Sequence, residues 1–313
     1  MTVVHIKANM WTSQCDAVKD THPFGRLVAN SNDLITLVTA DCNRYRGLGN
    51  TMFIYASVVG IAAHTNKLAF FDCHQFRALQ VFPNASTRLW DKSQIAKLMK
   101  RKFEARHDRS ARIYNTTLIN LDPDRNYHLH GYLQSWRYFR NISHQLRSSD
   151  FVFSNAVQIQ CDKLFNETVH KFRSSKCAIV GMHARRGDHV NSTRRLPAAA
   201  EYLKRAMRHM TLRLSNQTDC VHFLMTGDDY QWNTNYANQS ANVTVLPRSA
   251  HELDLCVLSR CDHMIMSVGT FGWWAAYLAN GITIYQKHFA PAGSGLLNIT
   301  RIEDHYLPGW VPL

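Results

Sequence analysis

Between residues 177 and 286 the chain alternates short apolar runs with amphipathic stretches, and no other feature limits its fold so tightly. CAIVGMH (177–183), CVHFLMT (220–226), VTVLP (243–247), HMIMS (263–267) and GITIYQ (281–286) have the length and composition of buried strands. Between them, PAAAEYLKRAMRHMTLRL (197–214), HELDLCVLSRC (251–261) and FGWWAAYLAN (271–280) have helical length and patterning. Strands separated by helices pair in parallel, because a parallel neighbour needs a crossover that a hairpin turn cannot supply. The expectation is an α/β fold with a doubly wound sheet, and such sheets bind ligands beyond the carboxyl ends of their strands.

Each of those ends carries unusual chemistry. The first strand runs into HARRGD (183–188), the second into GDD (227–229), and HMIMS into SVGTF (267–271). Arg185 and Arg186 at a strand end suit a diphosphate, since a guanidinium matches phosphate oxygens bidentately and stays charged at any working pH. One of two adjacent arginines commonly faces a ligand while the other pairs with a carboxylate, and Asp188 is close in sequence. As an adhesion signal the tripeptide RGD carries little weight. Asp228 and Asp229 could hold a divalent ion; alternatively, one caps the next helix while the other accepts from a ribose or base. We prefer the second reading, because the arginine pair already supplies positive charge.

The N-terminal half is less regular. RGLGNTMFIYASVVGIAAHTNK (46–67) reads as a Gly-rich turn entering a helix apolar nearly all round, hence buried. Gly47, Gly49 and Asn50 at that helix start suit an anion or a sugar, but the stretch is neither GxGxxG nor a P-loop. KLAFFDC (67–73) suits a strand, and LHGYLQSWRYF (129–139) a strand or turn with exposed aromatics. The domain boundary is placed at 165/166. The 1–165 domain then carries the GxGN loop, and 166–313 forms the doubly wound domain.

At 313 residues, 45% hydrophobic and 19% charged, the chain has a folded core. Its 36 Lys and Arg against 23 Asp and Glu favour anionic partners. The most basic stretch, KLMKRKFEARHDRSAR (97–112), is interrupted by Glu104 and Asp108 and lacks interleaved aromatics. It reads as a solvated helix face, and no nucleic-acid partner is expected. The 8 cysteines show no CxxC spacing, and the 17 histidines no HExxH, so no metal site is expected.

Nine Asn-x-Ser/Thr sequons (Asn84, Asn115, Asn141, Asn166, Asn191, Asn216, Asn238, Asn242, Asn298) indicate passage through the secretory lumen, where several cysteines could pair. The first 20 residues hold neither a signal-peptide core nor an anchor, and the longest apolar run (52–63) falls short of the roughly 20 residues a bilayer needs. An upstream anchor is therefore expected.

Taken in order, GLGNTMFIYA, GMHARRGDHV, HFLMTGDDYQW, HMIMSVGTFGWWAAYLAN and the ending HYLPGWVPL resemble the α1,2-fucosyltransferases, glycosyltransferase family 11. The resemblance spans residue 41 to the end. It implies a two-lobed B-type glycosyltransferase fold with a Rossmann-like C-terminal domain. GDP-fucose would be the donor and a galactose-terminated glycan the acceptor, with inversion at the fucose carbon and neither metal nor cofactor. It also implies a Golgi type II membrane protein.

Residue by residue, it would place Arg185 on the diphosphate, with His183, Asp188 and Arg186 shaping that loop. Asn50, Gly47 and Gly49 would lie against the fucose, Asp228 or Asp229 against the guanosine, and Ser267, Thr270 and Phe271 against phosphate and base. Thr51 stands where family members commonly have Gln, and Val268-Gly269 where many have two small residues. The general base is left open among Asp41, His64, Asp72, His74, His128 and His130. Two other readings remain: a fucosyltransferase of α1,6 or protein O-linkage, and a glycan-binding relative without catalysis.

Overall fold

The computed structural model describes residues 35–42, 47–98, 100–173 and 176–313. The chain divides into two compact units. Among the described residues, the first takes in 35–42 and 53–152, and the second 47–52 and 153–313. Each is built on a parallel sheet.

In the first unit, β1 (Leu37–Ala40) leads towards helix α1 (Leu48–His64), followed by β2 (Leu68–Ala69), β3 (Phe71–Asp72), β4 (Leu89–Trp90), β5 (Phe103–His107) and β6 (Asn126–His130). The main sheet has the order β2-β1-β6-β5, and β3 pairs separately with β4. As its all-round apolar pattern predicts, α1 is buried: Phe53, Ile54, Tyr55, Val58 and Ile61 are each 0% exposed. Burying each such side chain stabilises the unit by about 1.5–3 kcal/mol.

Two expectations change here. The basic stretch 97–112 is not one helix face, because β5 occupies its middle as an edge strand. Charged side chains suit that position, since they discourage pairing with another chain. Of the aromatics in 129–139 only Tyr132 is exposed; Tyr138 and Phe139 are buried, and Phe139 packs its ring 6.1 Å from that of Phe53 on α1.

The second unit contains α2 (Asn155–Arg173), β7 (Ala178–Ala184), α3 (Ala200–Leu214), β8 (Val221–Gly227), α4 (Tyr230–Ala237), β9 (Val243–Val245), α5 (His251–Ser259), β10 (His263–Met266), α6 (Thr270–Ala279), β11 (Thr283–Tyr285) and β12 (Val311–Pro312). All six strands are parallel, in the order β12-β11-β10-β7-β8-β9. Counted from β7 this is the Rossmann order, whose direction reverses between β7 and β10.

Period-two alternation divides the faces. Val180, Met182 and Ala184 of β7 pack with Tyr202, Leu203 and Ala206 of α3. Gly181, one residue out of phase, lies so close to Leu258 of α5 and Cys261 that a Cβ would be 3.0–3.1 Å from them. Helices therefore cover both faces.

Two disulfides brace this unit. Cys161–Cys256 joins α2 to α5, and Cys177–Cys220 joins the entrances of β7 and β8. The first accounts for 153–165 lying with the second unit, whereas the sequence reading placed the boundary at 165/166.

Candidate functional site

The reversal of strand order opens a crevice beyond the ends of β7 and β10, and the chain places HARRGD and SVGTF there. The two loops are tied together. The Arg185 backbone N–H donates to Ser267 Oγ at 2.9 Å, and the Ser267 N–H to the His183 carbonyl at 3.0 Å. Ser267 is fully buried, so its hydroxyl holds the loops in register. Gly269, at φ 97°, turns the chain from β10 into α6 without a side-chain cap, and the first N–H groups of that ten-residue helix have no partner within the helix.

The adjacent arginines do different work. Arg186 is pinned: Nε donates to Asp229 at 3.4 Å, Nη1 to the Ala198 carbonyl at 2.6 Å, and its guanidinium carbon lies 4.2 Å from the Trp232 ring centroid. Its side chain is 17% exposed. Arg185 is held between carboxylates, with Nη2 2.5 Å from Asp188 and Nη1 2.8 Å from Asp228, yet stays 37% exposed. Arg185 is therefore oriented and accessible, and Arg186 braces the loop that carries it.

Both aspartates after β8 are engaged by protein groups. Asp229 caps α4 by accepting from the Trp232 N–H at 3.1 Å. Asp228 accepts from the Arg186 N–H at 2.8 Å as well as from Arg185. A Cβ on Gly187 would collide with the Asp228 carboxylate, so that glycine permits the pairing.

His183 is buried, and desolvation pushes its pKa down to about 4, so the ring is neutral at working pH. Among the described residues its Nδ1 has no hydrogen-bond partner, and its ring centroid lies 5.1 Å from that of Phe271.

The GxGN stretch packs with this unit rather than the first, where the sequence reading placed it. Trp274 Nε1 donates to the Gly49 carbonyl at 2.9 Å, and Thr270 Oγ1 to Asn50 Oδ1 at 3.1 Å. Gly49 lies against the α6 backbone, where a Cβ would come within 2.6 Å of the Thr270 carbonyl carbon. Among the described residues, nothing lies within 4 Å of where a Cβ on Gly47 would stand. Gly49, Asn50, Thr270 and Trp274 thus form one assembly at the start of α6.

Beside the crevice a cavity of about 300 Å³ is lined by Thr226, Asp228, Tyr230, Asn233, Arg248 and Asp254, among others. Asp254 accepts from Thr226 Oγ1 at 2.9 Å and Ser249 Oγ at 2.5 Å, and burial raises its pKa. Asn233 is fully buried, with neither amide atom hydrogen bonded among the described residues. Sequence reading missed both residues. The only signal was a carboxylate inside the otherwise apolar LDLCVL of α5.

Of the six candidates for a base, His64 and His74 are exposed, and Asp72 accepts from the His74 N–H at 2.8 Å. Asp41, His128 and His130 converge in the first unit. Asp41 Oδ1 is 2.9 Å from His128 Nε2, and Oδ2 is 3.2 Å from His130 Nδ1. The hydrogen bond from His128 holds the Asp41 carboxyl below its usual range, while burial lowers the pKa of His130.

Among solved structures, a mutant of Arabidopsis thaliana FUT1 in complex with GDP shares the fold, with a TM-score of 0.52 at 14% identity over 83% of this chain and 71% of that one. Two α/β units with parallel sheets, the second in Rossmann order with a crevice at its switch point, define a glycosyltransferase fold of the B type. Residues 8–313 match the profile of Glycosyl transferase family 11, and the chain belongs to that family.

It is 27% identical over 272 residues to galactoside alpha-(1,2)-fucosyltransferase 2 of Rattus norvegicus, a match covering 84% of this chain and 73% of that protein. It is 31% identical over 193 residues to galactoside alpha-(1,2)-fucosyltransferase 1 of Lagothrix lagotricha, covering 58% of this chain and about half (51%) of that relative. No helix among the described residues is long and apolar enough to cross a membrane.

Proposed function

We propose that the chain is a galactoside α1,2-L-fucosyltransferase. It moves L-fucose from GDP-fucose to the 2-hydroxyl of a terminal galactose, inverts the fucose anomeric carbon and uses no metal ion in that step. The observation that carries this reading is Arg185, held open at the switch point beside the N-terminus of α6.

As the acceptor hydroxyl oxygen bonds to the fucose carbon and gives up its proton to a base, the carbon's bond to the β-phosphate oxygen breaks and charge accumulates on GDP. A fixed guanidinium and the α6 N–H groups stabilise that charge without reorganising. Asp228 and Asp229, engaged with the arginines and the α4 cap, are not arranged as a free carboxylate pair for a divalent ion, and Arg185 supplies the charge such an ion would bring. Asn50 and Gly49 present the fucose surface. The cavity with Asp254 and Asn233 takes the guanosine, whose edge offers donors to the carboxylate and partners to the amide. The sequons and two disulfides support a lumenal, Golgi setting.

The test is incubation with GDP-fucose and a β-galactoside such as lactose, with and without EDTA, followed by linkage analysis of the product by NMR. A fucosyl-α1,2-galactose product at a rate EDTA does not alter is expected. An α1,6 or protein O-linked product would reject the linkage, dependence on a divalent ion would reject the metal-free step, and glycan binding without turnover would reject catalysis.

A further inference from the structure

The convergence of Asp41, His128 and His130 shares no residue with the donor crevice and does not depend on the reading given to it. β1 and β6 are parallel neighbours in register, with Thr39 opposite His128 and Ala40 opposite Leu129. Two residues apart on β6, His128 and His130 project from the same face. Asp41, the first residue past β1, lies beside them. All three ligand atoms lie within 4.8 Å of one another. Their side chains are 49%, 21% and 32% exposed for Asp41, His128 and His130, so the group opens to solvent.

On β5, His107 stands opposite His130 in register and stacks on it with ring centroids 4.7 Å apart, and His128 stacks on the same His130 ring at 4.5 Å. Both imidazoles are thereby held in orientation, with one nitrogen each turned to the same carboxylate.

We propose that Asp41, His128 and His130 form a binding site for a divalent transition-metal ion of the zinc class. Zinc takes imidazole nitrogen and carboxylate oxygen at about 2.0–2.2 Å, which in a tetrahedron sets neighbouring donors about 3.3 Å apart. The two carboxylate–imidazole distances, 2.9 Å at Oδ1 and 3.2 Å at Oδ2, are close to that spacing. Two nitrogens and one carboxylate favour zinc, nickel or copper over magnesium or calcium, which select all-oxygen shells. Three protein ligands leave one position for water or an exogenous oxygen, the arrangement of open rather than closed zinc sites. Without metal, the carboxylate bridges the imidazoles by hydrogen bonds. With metal, the ion replaces those bonds, and His107 positions the His130 ring.

The test uses the full chain without a histidine tag, stripped with chelator, dialysed and titrated calorimetrically with Zn²⁺ and separately with Mg²⁺ at pH 7.5. One equivalent of Zn²⁺ should bind and Mg²⁺ should not. His128→Gln and His130→Gln should each weaken Zn²⁺ binding by at least about a hundredfold, more than the ten- to hundredfold typical of outer-shell partners. Thermal unfolding shows that each variant is folded, and Zn²⁺ should raise the wild-type melting temperature but not the variants'. Co²⁺ in place of Zn²⁺ should give the visible absorption of a four-coordinate site in the wild type alone. A folded wild type that binds no Zn²⁺, or one whose binding survives both substitutions, overturns the proposal.

Discussion

Arg185 and Arg186 are neighbours in sequence but face different environments, and their substitution should separate binding from stability. Arg185→Ala removes the accessible guanidinium from an exposed ion pair, so it should leave the melting temperature nearly unchanged while weakening GDP binding at least about tenfold, or ~1.4 kcal/mol. Arg186→Ala removes the Asp229 pair, the bond to the Ala198 carbonyl and the contact with Trp232, and should cost about 1–3 kcal/mol of stability. Calorimetry with GDP and thermal unfolding of both variants check this together; equal effects of the two on GDP affinity would contradict the division of labour.

His183 adds a pH dependence with a definite sign. Its folded pKa of about 4 lies below the unfolded value near 6.5, so between them the unfolded chain binds a proton that the folded chain does not. Stability from this group is present above pH 6.5 and is lost as pH falls towards 4, by on the order of 3 kcal/mol. Denaturation midpoints against pH should fall less steeply in His183→Gln. The sequence made the arginine pair and its neighbouring carboxylates legible, because charge at a strand end is visible as a string. It could not show which arginine stays open, nor that Asp254 and Asn233 meet at one cavity, since those depend on where β8, α4 and α5 come together.

At the scale of elements, the second unit was legible because its strands and helices are long enough to display their periods. Helix α2 buries only the narrow stripe Val157, Cys161, Phe165 and Val169 and leaves Ile159 exposed, so its pattern is weak and the expected 165/166 boundary falls inside it. Strand β12 is two residues long and ends in a proline, which only a sheet edge tolerates. In the first unit β2, β3 and β4 have two residues each, too few to show alternation.

The GxGN loop was readable as a turn, but its attachment to α6 was not, because Trp274 lies 225 residues beyond Gly49. That attachment distinguishes two glycines the sequence treats alike. Gly49→Ala would force a Cβ against the α6 backbone and should destabilise the fold by about 1–3 kcal/mol, with loss of turnover. Gly47→Ala meets nothing within 4 Å among the described residues and should be close to neutral for stability. Melting temperatures and initial rates of the pair measure the contrast.

For the whole molecule, the parallel sheet of the second unit sorts the sequons by edge. Every β-to-α connection lies at the carboxyl edge with the crevice, and every α-to-β connection at the opposite edge. Asn216 lies between α3 and β8, and Asn238 and Asn242 between α4 and β9; all three are exposed at the edge away from the ligand. Asn191 is also exposed but lies between β7 and α3, three residues past Asp188, on the loop that carries Arg185. A branched glycan there would crowd the entrance to the crevice, and would also hold in one orientation a loop whose guanidinium has to exchange carboxylate partners for phosphate. In protein secreted from a eukaryotic host, peptide mapping should therefore find Asn216, Asn238 or Asn242 occupied and Asn191 bare in the fraction that turns over. Removing the Asn191 sequon by Asn191→Gln should leave the rate unchanged, whereas full modification of Asn191 in a fully active preparation would show that the carboxyl edge is more open than the crevice geometry requires.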